Sequence, residues 1–393
     1  FRLAVGPSKM LIALLAVITV CSFGWTMDII TTGNISQFTE PEGMKSQIGS
    51  IEYSIPPGWW KNNGTDDKAQ KRNKIISDLD EFSDSRGVFS TLWNFTSKRF
   101  NAAVTSLLQL KFTDTIRNIG VCSLALLWAV KYHPVYSVIF LTFTITIISL
   151  CGGATCRCAA LEFARGEKPG LTESLRFAFE KLAGFIAAPM IPVGIMIAAG
   201  ILLVIIGGFG NIPVVGKIIM ALSIGFALLL GLFIALFLVG TVIGYHLMFP
   251  VIAYEGSNGF DAISRSFAYV YAHPWCTVFY GLIASFYGVI CYLFMRFFVF
   301  LLLIIPYHLM SIGVFDIENE VDVLSRIWAK PELFNLLKDN TEITMTSTEA
   351  VASFIIQMAV LFVIALLAAF VVSFYYSGCT IIYALMRERV DRV

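Results

Sequence analysis

Long apolar runs alternate with short charged stretches along this chain, and the alternation occurs twice in the same form. Residues 135–151 are apolar, pass through GGATCRCAALEFARGEKPGLTESLRFAFEKL, and return to an apolar run at 183–209. Residues 214–249 do the same, passing through PVIAYEGSNGFDAISRSFAYVYAHPW into a run that starts at 277. A membrane-spanning helix needs about 20 mostly apolar residues, because the hydrocarbon core is roughly 30 Å thick and each residue rises 1.5 Å. Segments 10–30, 119–130, 135–150, 183–209, 214–249, 277–315 and 350–386 are the candidates. The pattern predicts an all-α fold: a polytopic transmembrane helical bundle of about seven spans (six to eight are permitted), with repeated span–amphipathic helix–span units.

Breakers divide the runs. Pro134 in KYHP ends one helix and starts the next, and the Gly-, Asn- and Pro-rich GGFGNIP separates 183–209 from 214–249. Segment 10–30 follows Lys9, has no small-x-small cleavage pattern after it, and carries Trp25 near its far edge as an interfacial anchor. It is expected to be a retained span. Segment 119–130 is short enough to be re-entrant. Runs approaching 40 residues would measure about 60 Å as one helix, twice the hydrocarbon thickness. For 350–386 the unbroken polar continuation ALMRERVDRV favours one helix that leaves the membrane. For 277–315, Arg296 and Pro306 leave one span and two spans both open.

The organisation expected is a first span at 1–30, a polar and loosely built segment at 31–115, transmembrane repeats at 116–209 and 210–315, an acidic loop at 316–349, and a last long span with a basic helical end at 350–393. Within the polar segment, DDKAQKRNKIISDLDEFSDSR suggests a solvated helix and FSTLWNFTSKRFNAAVTSLLQL an interfacial one, a possible third, degenerate copy of the unit. Asn34, Asn63 and Asn94 each begin an N-x-S/T triplet, read as chance occurrences in an Asn- and Thr-bearing segment.

Composition supports a lipid-facing protein. Hydrophobic residues make up 57% of the 393 and charged residues 14%, where soluble domains average roughly 25% charged. A net charge of +1 gives no reason to expect a nucleic-acid partner. The stretch 157–181 carries Arg157, Arg165, Lys168, Arg176 and Lys181, and the C-terminus carries Arg387, Arg389 and Arg392, whereas 316–322 is rich in acids. The positive-inside bias then puts the two repeat loops and the C-terminus in the cytoplasm and the acidic loop outside.

The two charged loops hold the candidate chemistry. Leu175, Phe179, Leu182 and Ile186 recur at helical spacing, with Thr172 as the expected cap; Ile263, Phe267 and Tyr271 form the second stripe, capped by Asp261. Asp261 and Arg265 stand at i, i+4 and are expected to pair. Arg157, Glu162, Arg165, Glu255, Asp261 and Arg265 make a candidate polar cluster at the cytoplasmic edge, read first as mutual salt bridges and second as a site for a lipid headgroup or small anion. Arg296, in CYLFMRFFVF, is an intramembrane charge that either snorkels or has a buried partner.

Catalytic and cofactor signals are weak. Cys151, Cys156 and Cys158 give C-x4-C-x-C, a spacing unlike the common zinc and iron–sulfur patterns. His133, His246, His273 and His308 are scattered, and neither a nucleophile elbow nor a phosphate-binding glycine loop occurs. No cofactor, metal or enzymatic activity is expected.

Four stretches, at 152–168, 188–196, 255–275 and 371–391, together resemble an uncharacterised polytopic inner-membrane protein family of planctomycete-type bacteria. EGSNGFDAISRSFAYVY is the most specific part. That family is distantly similar in layout to the membrane domain attached to some glycerophosphodiester phosphodiesterases; the likeness is of layout and carries no hydrolase activity over. The resemblance implies a bacterial inner-membrane, non-catalytic protein and names no substrate. With it, the expected role is a scaffold or accessory subunit of a membrane assembly, as a homo-oligomer or with other membrane subunits. The second reading is a transporter or lipid-handling protein with a path between the repeats.

Overall fold

The computed structural model describes residues 3–35, 87–210, 215–313 and 347–391, with 324, 327–333 and 336 between the last two. Among these residues the chain is helical throughout: α1 Pro7–Ile35, α2 Val88–Leu108, α3 Phe112–Tyr132, α4 Pro134–Arg165, α5 Leu171–Glu180, α6 Leu182–Phe209, α7 Val215–Leu222, α8 Ile224–Glu255, α9 Gly259–Ala272, α10 Pro274–Gly313 and α11 Ser347–Asp391. Six of them (α1, α4, α6, α8, α10 and α11) are long and apolar enough to cross a membrane. The protein is an all-α integral membrane protein on that basis. Segment 119–130 lies in α3, which is not among the six. The solvated helix expected at 66–86 lies outside the described residues, as do Asn63 and nearly all of the acidic loop.

Several boundaries follow from proline. His133 and His273 each end a helix and precede a proline that opens the next, and they adopt nearly the same backbone (φ −129, ψ 62 and φ −138, ψ 66). The residue before a proline is driven out of the α region, so both corners form for one steric reason. Pro134 and Pro274 then occupy the first helical position, where a missing N–H costs nothing. Pro306 breaks nothing: α10 is one 40-residue helix, without the turn that two spans at 277–313 would need. The run expected from 214 to 249 differs. It divides at Ser223 into the eight-residue α7 and the 32-residue α8, which continues to Glu255.

The chain forms two compact units, residues 1–17 with 145–393, and residues 18–144. In the smaller unit, Val88, Leu92, Ala129, Tyr136 and Phe140 are buried, and Phe23 stacks on Phe143 at 3.8 Å. Asp28, 4% exposed, is the pin of this unit. Its carboxylate accepts the backbone N–H groups of Phe89 and Ser90 and the Ser90 hydroxyl, each at 2.9 Å, and the Tyr136 hydroxyl at 3.0 Å. Residues 89 and 90 lie in the first turn of α2, whose amides have no partner inside the helix, so Asp28 caps α2 from another helix. Gly87 makes this possible. A Cβ there would lie 2.1 Å from the Asp28 Cγ.

In the larger unit, α8 packs against α6, α9 and α11, and α10 against α11. The core collects at one end of the long helices, around Cys151 and Ala154 of α4, Phe185 and Ala188 of α6, Leu247–Ala253 of α8, and Tyr376, Tyr383 and Met386 of α11. Gly153 lets α4 approach closely, since a Cβ there would stand 2.6 Å from the Phe185 ring. Away from this end, packing thins. Only 11% of the most apolar 18-residue window is buried in α6, and the same holds for α8.

Candidate functional site

The dense end of the larger unit carries most of the charged cluster. α4 and α8 both stop at a glycine in the left-handed region, Gly166 (φ +71) and Gly256 (φ +69), a conformation that costs other residues a steric penalty. Each is followed by a short helix, α5 after Gly170 and α9 after Asn258. Gly170 and Asn258, both extended, hold the cap positions and make no side-chain cap bond. Thr172 and Asp261 are therefore not the caps expected: the helices begin earlier, leaving Thr172 second and Asp261 third in its helix. Asp261 is exposed there, near the positive end of the α9 dipole.

The inward faces match the expected stripes in part: Ile263 is buried, and Leu175 and Phe267 pack half-buried against the core. Phe179 is 69% exposed and Tyr271 46% exposed. The fully buried positions are Ser174 and Ala178 in α5 and Ala262 and Ser266 in α9, the fourth and eighth residues after each cap. Small side chains bring these helices close to their neighbours; Tyr269 is buried with them, Phe177 and Phe267 pack half-buried on the core, and Phe179 stands outside.

Glu255 is the hub. It ends α8, where a carboxylate meets the negative end of the helix dipole and needs compensation. Its carboxylate accepts the Tyr383 hydroxyl of α11 at 2.6 Å and an Arg265 N–H of α9 at 2.8 Å, and Arg387 Nε lies 4.0 Å away. Arg387 also sits over the Tyr254 ring, 5.1 Å from its centre. Arg265 thus turns to Glu255 and not to Asp261, its i, i−4 neighbour. Arg157 of α4 gives an N–H to the Ala253 carbonyl at 2.8 Å, one of the last carbonyls of α8 that lack a helical donor, and lies 4.4 Å from the centre of the Phe177 ring. Glu162 pairs at 2.5 Å with Lys9, which is 2% exposed in the first turn of α1. The ammonium faces the positive end of the α1 dipole, so the Glu162 carboxylate offsets an otherwise unfavourable placement. Arg165 is exposed in the last turn of α4.

The expected cluster is therefore three separate contacts: Arg265 with Glu255, Arg157 with a carbonyl, and Glu162 with Lys9. A recess of about 330 Å³ opens beside Arg157, lined among others by Glu173, Arg176, Phe177 and Glu180. Arg296 lies elsewhere, 5% exposed in α10. It donates to the Leu333 carbonyl at 2.7 Å and to the Tyr292 hydroxyl, so it has a buried partner and does not snorkel. Lys9 and Asp28 were not legible as partners from spacing. The signal was the bare presence of an ionisable group at or inside an apolar run.

The thiols of α4 serve packing. Cys158 donates to Ser174 Oγ at 3.0 Å, and Cys156 lies 3.9 Å from the Tyr376 carbonyl. Among the described residues, no three His, Cys, Asp or Glu side chains converge as metal ligands would. His246 is held by Tyr375, whose hydroxyl is 2.6 Å from Nδ1. Comparison with models of known protein families, with curated proteins and with solved structures gives no match.

Proposed function

We propose that this chain is a non-catalytic scaffold or accessory subunit of a membrane assembly, in a bacterial inner membrane. One observation carries the reading: at the dense end Glu255 and Glu162 pair with Arg265 and Lys9 and Arg157 caps a carbonyl, while α6 keeps apolar, glycine-bearing faces open. Gly194, Gly200 and Gly207 of α6 have no atom within 4 Å of the position a Cβ would take. Helices associate in lipid through close van der Waals packing at small residues, so such positions suit another helix better than lipid tails. Gly152, Gly153, Gly240 and Gly244, by contrast, already meet neighbours within the chain. Gentle extraction is expected to yield a homo-oligomer or a complex with other membrane subunits by native mass spectrometry. A monomer whose proteoliposomes pass solute faster than empty liposomes would overturn this in favour of the transporter reading, whose support is the recess beside Arg157.

The paired left-handed glycines, and the two short helices with small residues buried at matching positions, favour descent of 134–209 and 224–313 from one repeated unit. The basic stretch at 157–181 and the basic C-terminus favour a cytoplasmic dense end. In a cysteine-depleted background, Lys168→Cys and Ser257→Cys are expected to resist an impermeant maleimide applied to intact cells, while Lys330→Cys reacts. Labelling at 168 or 257 would reverse the orientation.

A further inference from the structure

We infer that the recess beside Arg157 binds the zwitterionic phosphoethanolamine headgroup of a phospholipid. Its volume, about 330 Å³, lies at the lower end of the range for small-molecule sites, about 300–1,000 Å³. Arg157 forms one wall and is held from two sides, by the Ala253 carbonyl at 2.8 Å and by the Phe177 ring, 4.4 Å from its centre. A guanidinium carries several N–H donors in a planar fork, so the bond to Ala253 leaves most of them unused. Among the described residues no carboxylate pairs with Arg157, whereas Lys9, Arg176 and Arg265 each have one. Ser174, fully buried, lines the same recess and adds a hydroxyl.

The opposite charge is present as well. Glu173 lines the recess and, among the described residues, makes no hydrogen bond or ion pair, while Arg176 and Glu180 pair with each other at 3.1 Å on the rim. The lining thus holds two guanidinium groups and two carboxylates. A simple anion drawn to Arg157 would meet the carboxylates, and a simple cation drawn to Glu173 would meet the guanidinium groups. A ligand that carries both signs avoids both repulsions. Phosphate oxygens match the planar fork of Arg157, and an ammonium with its N–H donors matches Glu173. Position makes a lipid the source. Arg157, Glu162 and Arg165 crowd the end of α4, a helix long enough to span, and charges on such a helix gather where it leaves the hydrocarbon. Phospholipid headgroups are the ligands most concentrated there. The site is independent of the scaffold role, because it uses neither the Glu255 and Glu162 pairs nor the open glycines of α6.

The full chain, delipidated in detergent, is titrated with phosphatidylethanolamine or phosphatidylglycerol of the same acyl chains, and bound lipid is counted by native mass spectrometry. The wild type is expected to bind phosphatidylethanolamine about tenfold more tightly than phosphatidylglycerol, which lacks the ammonium. Glu173→Gln is expected to weaken phosphatidylethanolamine about tenfold and to leave phosphatidylglycerol unchanged or tighter. Arg157→Gln is expected to weaken both lipids. Because Arg157 also caps α8, its loss can unfold the chain; Glu173 is exposed, so its variant tests the site without that risk. Equal affinity for the two lipids in the wild type, or phosphatidylethanolamine binding unchanged by Glu173→Gln, would overturn the zwitterionic site. A third arm fixes the source: soluble O-phosphoethanolamine in large molar excess is expected not to displace the bound lipid, and displacement would assign the recess to a free phosphoethanolamine and overturn the lipid.

Discussion

Asp28→Ala is expected to lower the melting temperature of the detergent-solubilised protein by about 10 °C, the largest effect of any single truncation outside the larger core. The carboxylate is 4% exposed and accepts four hydrogen bonds, two from α2 amides and two from the Ser90 and Tyr136 hydroxyls. Removing it leaves four donors without an acceptor, and the cost of breaking a buried charged network is about 4 kcal/mol. Asp28→Asn retains one carbonyl acceptor and is expected to lose about half as much. Ser90→Ala removes one donor and leaves the cap in place, for about 1 kcal/mol. Thermal unfolding followed by circular dichroism, with limited proteolysis to locate the cleavages in 18–144, is the measurement. A shift below about 2 °C for Asp28→Ala would show that α2 does not depend on this cap.

The second expected result separates two partners of Glu255. Glu255→Ala is expected to destabilise the larger unit by about 3 kcal/mol, and Arg265→Ala by less than about 1. The difference lies in burial. Arg265 is 51% exposed, so water and salt screen its contribution, whereas Tyr383 is fully buried and its hydroxyl would be left without an acceptor. Tyr383→Phe is expected to cost about 1 kcal/mol alone and to recover part of the Glu255→Ala loss in the double variant. Equal losses from Arg265→Ala and Glu255→Ala would place the strength of the hub in the ion pair.

Hydropathy made the spanning helices legible because lipid imposes a single demand, a long apolar run with every backbone group bonded internally. The inward faces of α5 and α9 were harder, and the failure has a physical cause. In water the apolar stripe marks the buried side of a helix, but here Phe179 stands 69% exposed, and Tyr271 lies along α8 with its hydroxyl on the Leu236 carbonyl. Close approach selects Ser174, Ala178, Ala262 and Ser266 instead. Arg157, Glu162, Glu255 and Arg265 stood out as charges beside apolar helix, yet their partners did not follow from spacing. Lys9 is 153 residues from Glu162, and the Ala253 carbonyl is a backbone atom that no side-chain pattern announces. Asp28 escaped because a single acid near the end of an apolar run reads as an edge charge until Gly87 and Ser90 are seen beside it.

The Asp28 cap also sets an order of events during synthesis. Its donors on α2 come about 60 residues later and Tyr136 comes 108 residues later. At about 5–20 residues per second, the ribosome needs roughly 3–20 s to deliver them. For that interval α1 carries a carboxylate near the end of an apolar helix before these four donors exist, which penalises insertion to a degree that depends on depth. Until α2 and Tyr136 emerge, a shallow first helix with its acidic end in contact with water is the arrangement that costs this carboxylate least.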